Sequence, residues 1–98
     1  NRDPAVQEFA KRFKARWGIE NPDAFAKLGY DAAKVLADAI KRAGSTAGPK
    51  LRDALAATRN FSGVTGVTNI DANRDASKPA AIIAIKDGKL EFLKTVAP

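Results

Sequence analysis

The chain changes its hydrophobic period once, and that change limits the folds open to it. Up to about residue 60 the apolar side chains recur at steps of three and four, the spacing of one helical face. Beyond the glycine-punctuated stretch Phe61-Ser62-Gly63-Val64-Thr65-Gly66 they follow a strand-like period. Helices and strands are thus segregated along the chain, which predicts an α+β arrangement in the order α-α-α-β-β-β. With 98 residues, the chain is expected to form a single unit with a modest core. Its helical part covers residues 1–60 and its strand and hairpin part residues 61–98.

The boundaries follow from local chemistry. Asp3-Pro4 supplies an N-cap and a proline at the first helical position. Val6, Phe9, Ala10, Phe13 and Trp17 then form an aromatic-rich stripe, with Glu8, Lys11, Arg12, Lys14 and Arg16 on the other faces, and Gly18 ends the helix. A second helix is predicted from Asn21-Pro22-Asp23 to Gly44. Phe25, Leu28, Ala32, Val35, Leu36, Ala39 and Ile40 share its core face. Lys27, Asp31, Lys34, Asp38, Lys41 and Arg42 are expected in solvent, with i,i+4 pairs Lys27–Asp31, Lys34–Asp38 and Asp38–Arg42. Tyr30, the single tyrosine, lies nearly opposite the centre of the apolar face, beside Ala26, Ala33 and Ala37.

After a loop at 45–48, Pro49 begins a short third helix with Leu51, Leu55 and Thr58 inward, ending near Arg59-Asn60. Residues 67–71 form a strand candidate and 71–79 a polar connection. Ala80 to Lys86 and Lys89 to Val96 flank Asp87-Gly88, a strong hairpin signal. No repeat or low-complexity segment interrupts the chain.

Composition removes several function classes. With no Cys and no His, the chain lacks imidazole bases, thiol nucleophiles, disulfides and the usual zinc and copper ligands. Any hydrolytic chemistry would need carboxylates, Lys or Ser alone, and no cofactor is expected. At 45% hydrophobic and 29% charged it has the balance of a folded chain. No apolar run approaches the ~20 residues of a membrane span. The opening Asn-Arg-Asp-Pro reads as a helix start and not as a signal peptide.

Three apparent motifs fail on their chemistry. Asp71-Ala72-Asn73-Arg74-Asp75-Ala76-Ser77 starts like a calcium loop, but the sixth and twelfth positions are Ala76 and Ile82 where glycine and glutamate are needed. Gly63-Val64-Thr65-Gly66 lacks the Lys-Ser/Thr of a phosphate loop. Asp31 and Asp38 share a helix face with basic neighbours, as a solvated charge face does. The net charge of +6 invites a nucleic-acid reading through Lys11, Arg12, Lys14, Arg16, Lys41, Arg42, Lys50, Arg52 and Arg59. Phe9, Phe13 and Trp17 sit on the inward stripe, away from that charge, so a base-stacking surface is not expected. A small basic nucleic-acid-binding or assembly module is the alternative from another functional class.

Two stretches carry a resemblance: FAKRFKARWGIENPDAFAKLGYDAAKVLADAIKRAGS and LRDALAATRNFSGVTGVTNIDANRDASKPAAIIAIKDGK. The ordered motifs are F-x-K-R-F/Y-K, A-x-x-x-x-G-Y-D-A, A-I-x-x-A-G-S, L-R-D-A-L, F-x-G-V-T-G, D-x-N-x-D-A-x-K-P and I-K-D-G-K. Together they resemble the C-terminal part of the leucine/isoleucine/valine-binding proteins, solute receptors of branched-chain amino-acid ABC transporters. The resemblance implies the last quarter of a receptor with two Rossmann-like α/β lobes, without most of its parallel sheets. It implies a periplasmic location, an amino-acid-like ligand taken up with the rest of the receptor, and ABC transporter membrane subunits as partners. It also implies that Tyr30, at the tyrosine of G-Y-D-A, lines the ligand cleft. The chain departs from the family at Arg74, where glycine is usual, so a positive φ is expected at Asn73 instead. Separated from the remaining receptor, the chain is expected to form a homodimer through its uncovered apolar surface.

Overall fold

The computed structural model describes residues 3–98; Asn1 and Arg2, which open the chain, lie outside the described residues. Three helices, α1 (Pro4–Trp17), α2 (Ala24–Ala43) and α3 (Gly48–Ala56), precede five strands. These are β1 (Phe61–Gly63), β2 (Gly66–Ile70), β3 (Ala76–Ser77), β4 (Ala80–Lys86) and β5 (Lys89–Val96). The α+β order holds, with two short strands, β1 and β3, added to the three expected.

The first two helices are capped as their sequences dictate. The Asp3 carboxylate accepts from the Ala5 N–H at 2.8 Å, and Asp23 from the Ala26 N–H at 2.8 Å. Gly18 and Gly44 close them in the left-handed region at φ 71° and 64°. The third helix stops at Ala56, short of the predicted Arg59-Asn60. Thr58 is diverted instead: its carbonyl accepts from the Ile70 N–H at 3.1 Å, so the backbone enters the sheet. Arg42 pins the corner between α2 and α3. It donates to the Asp38 carboxylate (2.9 Å), the Ala54 carbonyl (2.8 Å) and the Thr58 hydroxyl (3.1 Å).

The strands form two separate antiparallel sheets, β1-β2-β3 and β4-β5. A tight turn at Val64-Thr65 joins β1 to β2, with Gly63 opposite Gly66. The β4–β5 hairpin turns at Asp87 (φ 50°) and Gly88 (φ 75°), as a two-residue turn with both positions at positive φ requires. Its ladder shifts register between Ile82 and Ile83. In the 71–75 turn the positive φ falls on Arg74 (69°), not on the expected Asn73. The Asp71 carboxylate accepts from the Asn73 and Asp75 N–H groups, and the Arg74 N–H reaches the Asp71 carbonyl at 3.0 Å. These bonds dictate where the chain reverses, whatever side chain stands there.

Burial corrects the reading of α2. Its buried residues are Asp31, Val35 and Ala39, an arc rotated about 60° from the centre of the apolar face. Phe25 is 82% exposed, and Leu28 and Leu36 are also open. The packed centre is small: Val6, Phe9 and Val64, with Phe13 and Tyr30 against them. Trp17, expected inward, is exposed, as are all of β5 and most of β4. The radius of gyration, 15.6 Å, exceeds the roughly 13 Å of a compact chain this long. The extents of 51 × 32 × 19 Å describe an elongated body with little side-chain surface turned inward.

Candidate functional site

Tyr30 stands where α1 meets α2. Its ring packs on Phe9 with centroids 4.8 Å apart, and its hydroxyl accepts from the Arg12 guanidinium at 2.9 Å. Arg12 and Lys34 also lie over the ring, 5.8 and 5.6 Å from its centroid. The hydrogen bond to the Tyr30 oxygen is the main reason the Arg12 guanidinium titrates even higher than usual, so a positive charge is permanent at this edge. Tyr30 thus packs on the neighbouring helix, and it is half-buried. It also borders a cleft of about 520 Å³, whose lining includes Arg12, Asp31, Lys34, Phe61 and Gly63. On its other side an open aromatic groove runs past Phe9, Phe13 and Trp17.

Asp31, the next residue, was expected in solvent and paired with Lys27. It is 2% exposed. One carboxylate oxygen accepts from the Val64 N–H at 2.9 Å. The other accepts from the Thr65 N–H at 2.8 Å and from the Thr65 hydroxyl. The Lys78 ammonium, 3.8 Å from that same oxygen, donates to the Thr65 hydroxyl. A buried carboxylate survives only when paired and hydrogen-bonded, and the β1–β2 turn and Lys78 meet both conditions. Helical periodicity sends an aspartate among lysines to solvent, and the partners that overturn this come more than thirty residues later in the chain. Of the expected charge pairs on α2, Asp38–Arg42 forms, at 2.9 Å.

Gly63 is explained by the same carboxylate. A Cβ built there would stand 2.6 Å from Asp31 Cγ, closer than real Cβ atoms approach. Local spacing carries no signal for this contact, because Asp31 and Gly63 lie in separate elements far apart in the chain. Asp31 and Asp38 do not form an acid/base couple, since each is committed to a different structural partner. Among the described residues no cluster of three or more His, Cys, Asp or Glu could hold a metal ion. No described helix is long and apolar enough to cross a membrane.

Comparison with known proteins shows the family. The family model described as periplasmic binding protein matches residues 1–89. The chain is similar to the leucine-binding protein LivK of Thermotoga maritima, at 40% identity and a TM-score of 0.80, over 98% of this chain and 27% of that one. It is 32% identical to the branched-chain amino acid substrate-binding protein LivJ of Streptococcus pneumoniae, solved with isoleucine (TM-score 0.82; 98% and 27% covered). It is 29% identical to a solute-binding protein of R. palustris solved with benzoate (TM-score 0.80; 99% and 27% covered). The chain therefore spans about a quarter of the length of these relatives. The family match over residues 1–89 and the identities of 40% and 32% over 98% of this chain show that the chain belongs to the periplasmic binding protein family.

Proposed function

We propose that this chain forms the C-terminal quarter of a two-lobed receptor that captures branched-chain amino acids or related small carboxylates for an ABC-type importer. In this reading it works in the periplasm and hands its ligand to the importer's membrane subunits. It binds and delivers, and catalyses nothing. The helices Pro4–Trp17 and Ala24–Ala43 complete one lobe, and the terminal strands return towards the other. The observation that carries the reading is the 40% identity to a leucine-binding protein across 98% of this chain. The surface left open by Phe25, Leu36, Ile85 and Leu90 supports it, because a chain this apolar expects further structure to cover it.

Tyr30 is the residue we assign to the ligand. Its ring edges the cleft while Phe9 and Arg12 hold it in one orientation, which suits a wall against a small apolar side chain. The test is calorimetric titration of leucine, isoleucine and benzoate into the complete receptor carrying this segment. Tyr30→Ala is expected to weaken binding at least tenfold. Tyr30→Phe, which keeps the ring, should cost less than threefold. The 98-residue chain alone should bind none of the three at micromolar concentration, since a small ligand needs most of its surface enclosed. Unchanged affinity in Tyr30→Ala would remove Tyr30 from the site. Micromolar binding by the monomeric chain would overturn the two-lobe reading.

A further inference from the structure

The β4–β5 hairpin joins the rest of the molecule through Lys78-Pro79, and both residues are gripped. Lys78 is held by the Thr65 hydroxyl and the Asp31 carboxylate. The Pro79 ring lies against Gly66, whose φ is 101°; a Cβ there would stand 2.9 Å from Pro79 Cγ. A crevice of about 380 Å³, bordered by Thr65, Gly66 and Pro79 of this grip, separates Val6, Lys27 and Val64 from Ala81, Ile83 and Phe92 of the hairpin. The hairpin residues along it are exposed, so side-chain packing within this chain does little to hold the hairpin at its angle. A two-stranded unit on a short connector, with an open crevice beside it, would otherwise swing.

We infer that Lys78-Pro79 is a pinned pivot, and that the buried Asp31 carboxylate, acting through Thr65 and Lys78, is the latch that sets the angle between the helical layer and the β4–β5 hairpin. Asp31 is fixed from below by two backbone N–H groups of the β1–β2 turn, so it offers Lys78 a rigid anchor. Lys78 is the positioning residue, since its ammonium bridges the connector to that anchor. The side chains of Asp31 and Lys78 are 3% and 21% exposed, so added salt should screen the pair only weakly. The inference is independent of whether Tyr30 touches a ligand, because it concerns an angle within this chain.

The absence of cysteine makes the test direct. Cysteines introduced as Ala33→Cys on α2 and Lys94→Cys on β5 carry the only spin labels. Labelled chain is diluted into an excess of unlabelled chain so that only distances within one copy are read, and pulsed electron resonance gives the distance distribution between the two labels. Gln7→Cys with Ala33→Cys is the control pair within the helical layer. The wild-type background should give one narrow helix-to-hairpin distribution, unchanged in 0.5 M salt. Lys78→Met should at least double its width while leaving the control pair and the helical circular dichroism unchanged. Lys78→Arg should restore most of the narrowness, which a role limited to filling space would not require. Asp31→Asn should broaden the distribution as well, and if that variant fails to fold, Lys78→Met decides alone. A distribution already broad in the wild type, or one equally narrow in Lys78→Met, would overturn the inference.

Discussion

The α1–α2 junction and the β4–β5 hairpin draw on similar side chains and meet opposite fates. At the junction Val6, Phe9 and Val64 are buried, and Tyr30 and Phe13 pack around them. In the hairpin Ile83, Ile85, Leu90, Phe92 and Leu93 are each more than half exposed. The hairpin nevertheless forms, because Asp87-Gly88 and the backbone ladder are local causes that need no cover. Secondary structure here follows from neighbours in sequence, whereas burial follows from neighbours in space, and the hairpin has few of the second kind. An isolated two-stranded hairpin is marginal in water, so its apolar faces are best understood as surface meant for contact.

The sharpest way to break the comparison is to ask whether the hairpin finds cover on its own. Reburying a large apolar side chain is worth roughly 1.5–3 kcal/mol, so four or five at a contact could offset an association cost of ~4–15 kcal/mol. The chain alone should therefore form a homodimer. Sedimentation equilibrium over a hundredfold concentration range checks this, and a folded monomer at the top of the range would contradict it. Paired truncations come next. Phe9→Ala should cost about 3–5 kcal/mol, enough to unfold so small a chain. Phe92→Ala in the monomer should change stability by less than about 0.5 kcal/mol. Urea titration at low protein concentration separates the two, and equal losses would erase the distinction between the regions.

Asp31→Ala ranks third. It strands the Lys78 ammonium and two backbone N–H groups, so a loss of about 2–4 kcal/mol is expected. Since Lys27 is not its partner, Lys27→Ala should stay within about 0.5 kcal/mol, and a larger loss would restore the surface pairing expected on helical spacing. The smallest effect has the opposite sign. Arg74 adopts φ 69°, which glycine occupies without strain, so Arg74→Gly should stabilise by about 0.5 kcal/mol after its greater unfolded-state entropy is subtracted. A decrease on thermal denaturation would mean that the arginine side chain makes a contact worth more than the backbone strain.

These outcomes bear on how far the sequence alone could be followed. Asp3-Pro4, Gly18, Gly44 and Asp87-Gly88 were legible because a cap or a turn is decided within a few residues. The inward faces of Phe25, Leu28 and Leu36 were misread for a physical reason: periodicity says which residues share a face, and cannot say whether anything lies opposite it. Asp31 was misread by the complementary error. Its charge pointed to solvent, yet the N–H groups that donate to it and stabilise its burial come from Val64 and Thr65. Arg74 shows a third limit, since the Asp71 bonds place the reversal regardless of residue preference. Tyr30 was singled out by its position off the apolar arc, and it does stand at a boundary between two helices and a cleft.

The staple formed by Arg42 has a consequence for the order in which the chain assembles. It joins Asp38, Ala54 and Thr58, all within a short stretch whose loop closure costs little entropy. That corner is expected to close early and without help from the rest of the chain. The docking of Val64 and Thr65 onto Asp31 spans more than thirty residues, so it should form the later, rate-limiting contact. Φ-values near zero at Arg42 with high values at Thr65 would reverse that order. During synthesis α2 therefore waits for its partner with a carboxylate on the face to be covered. An ionised group there keeps the unfinished surface wetted, and it becomes a buried anchor only once the turn that completes it has left the ribosome.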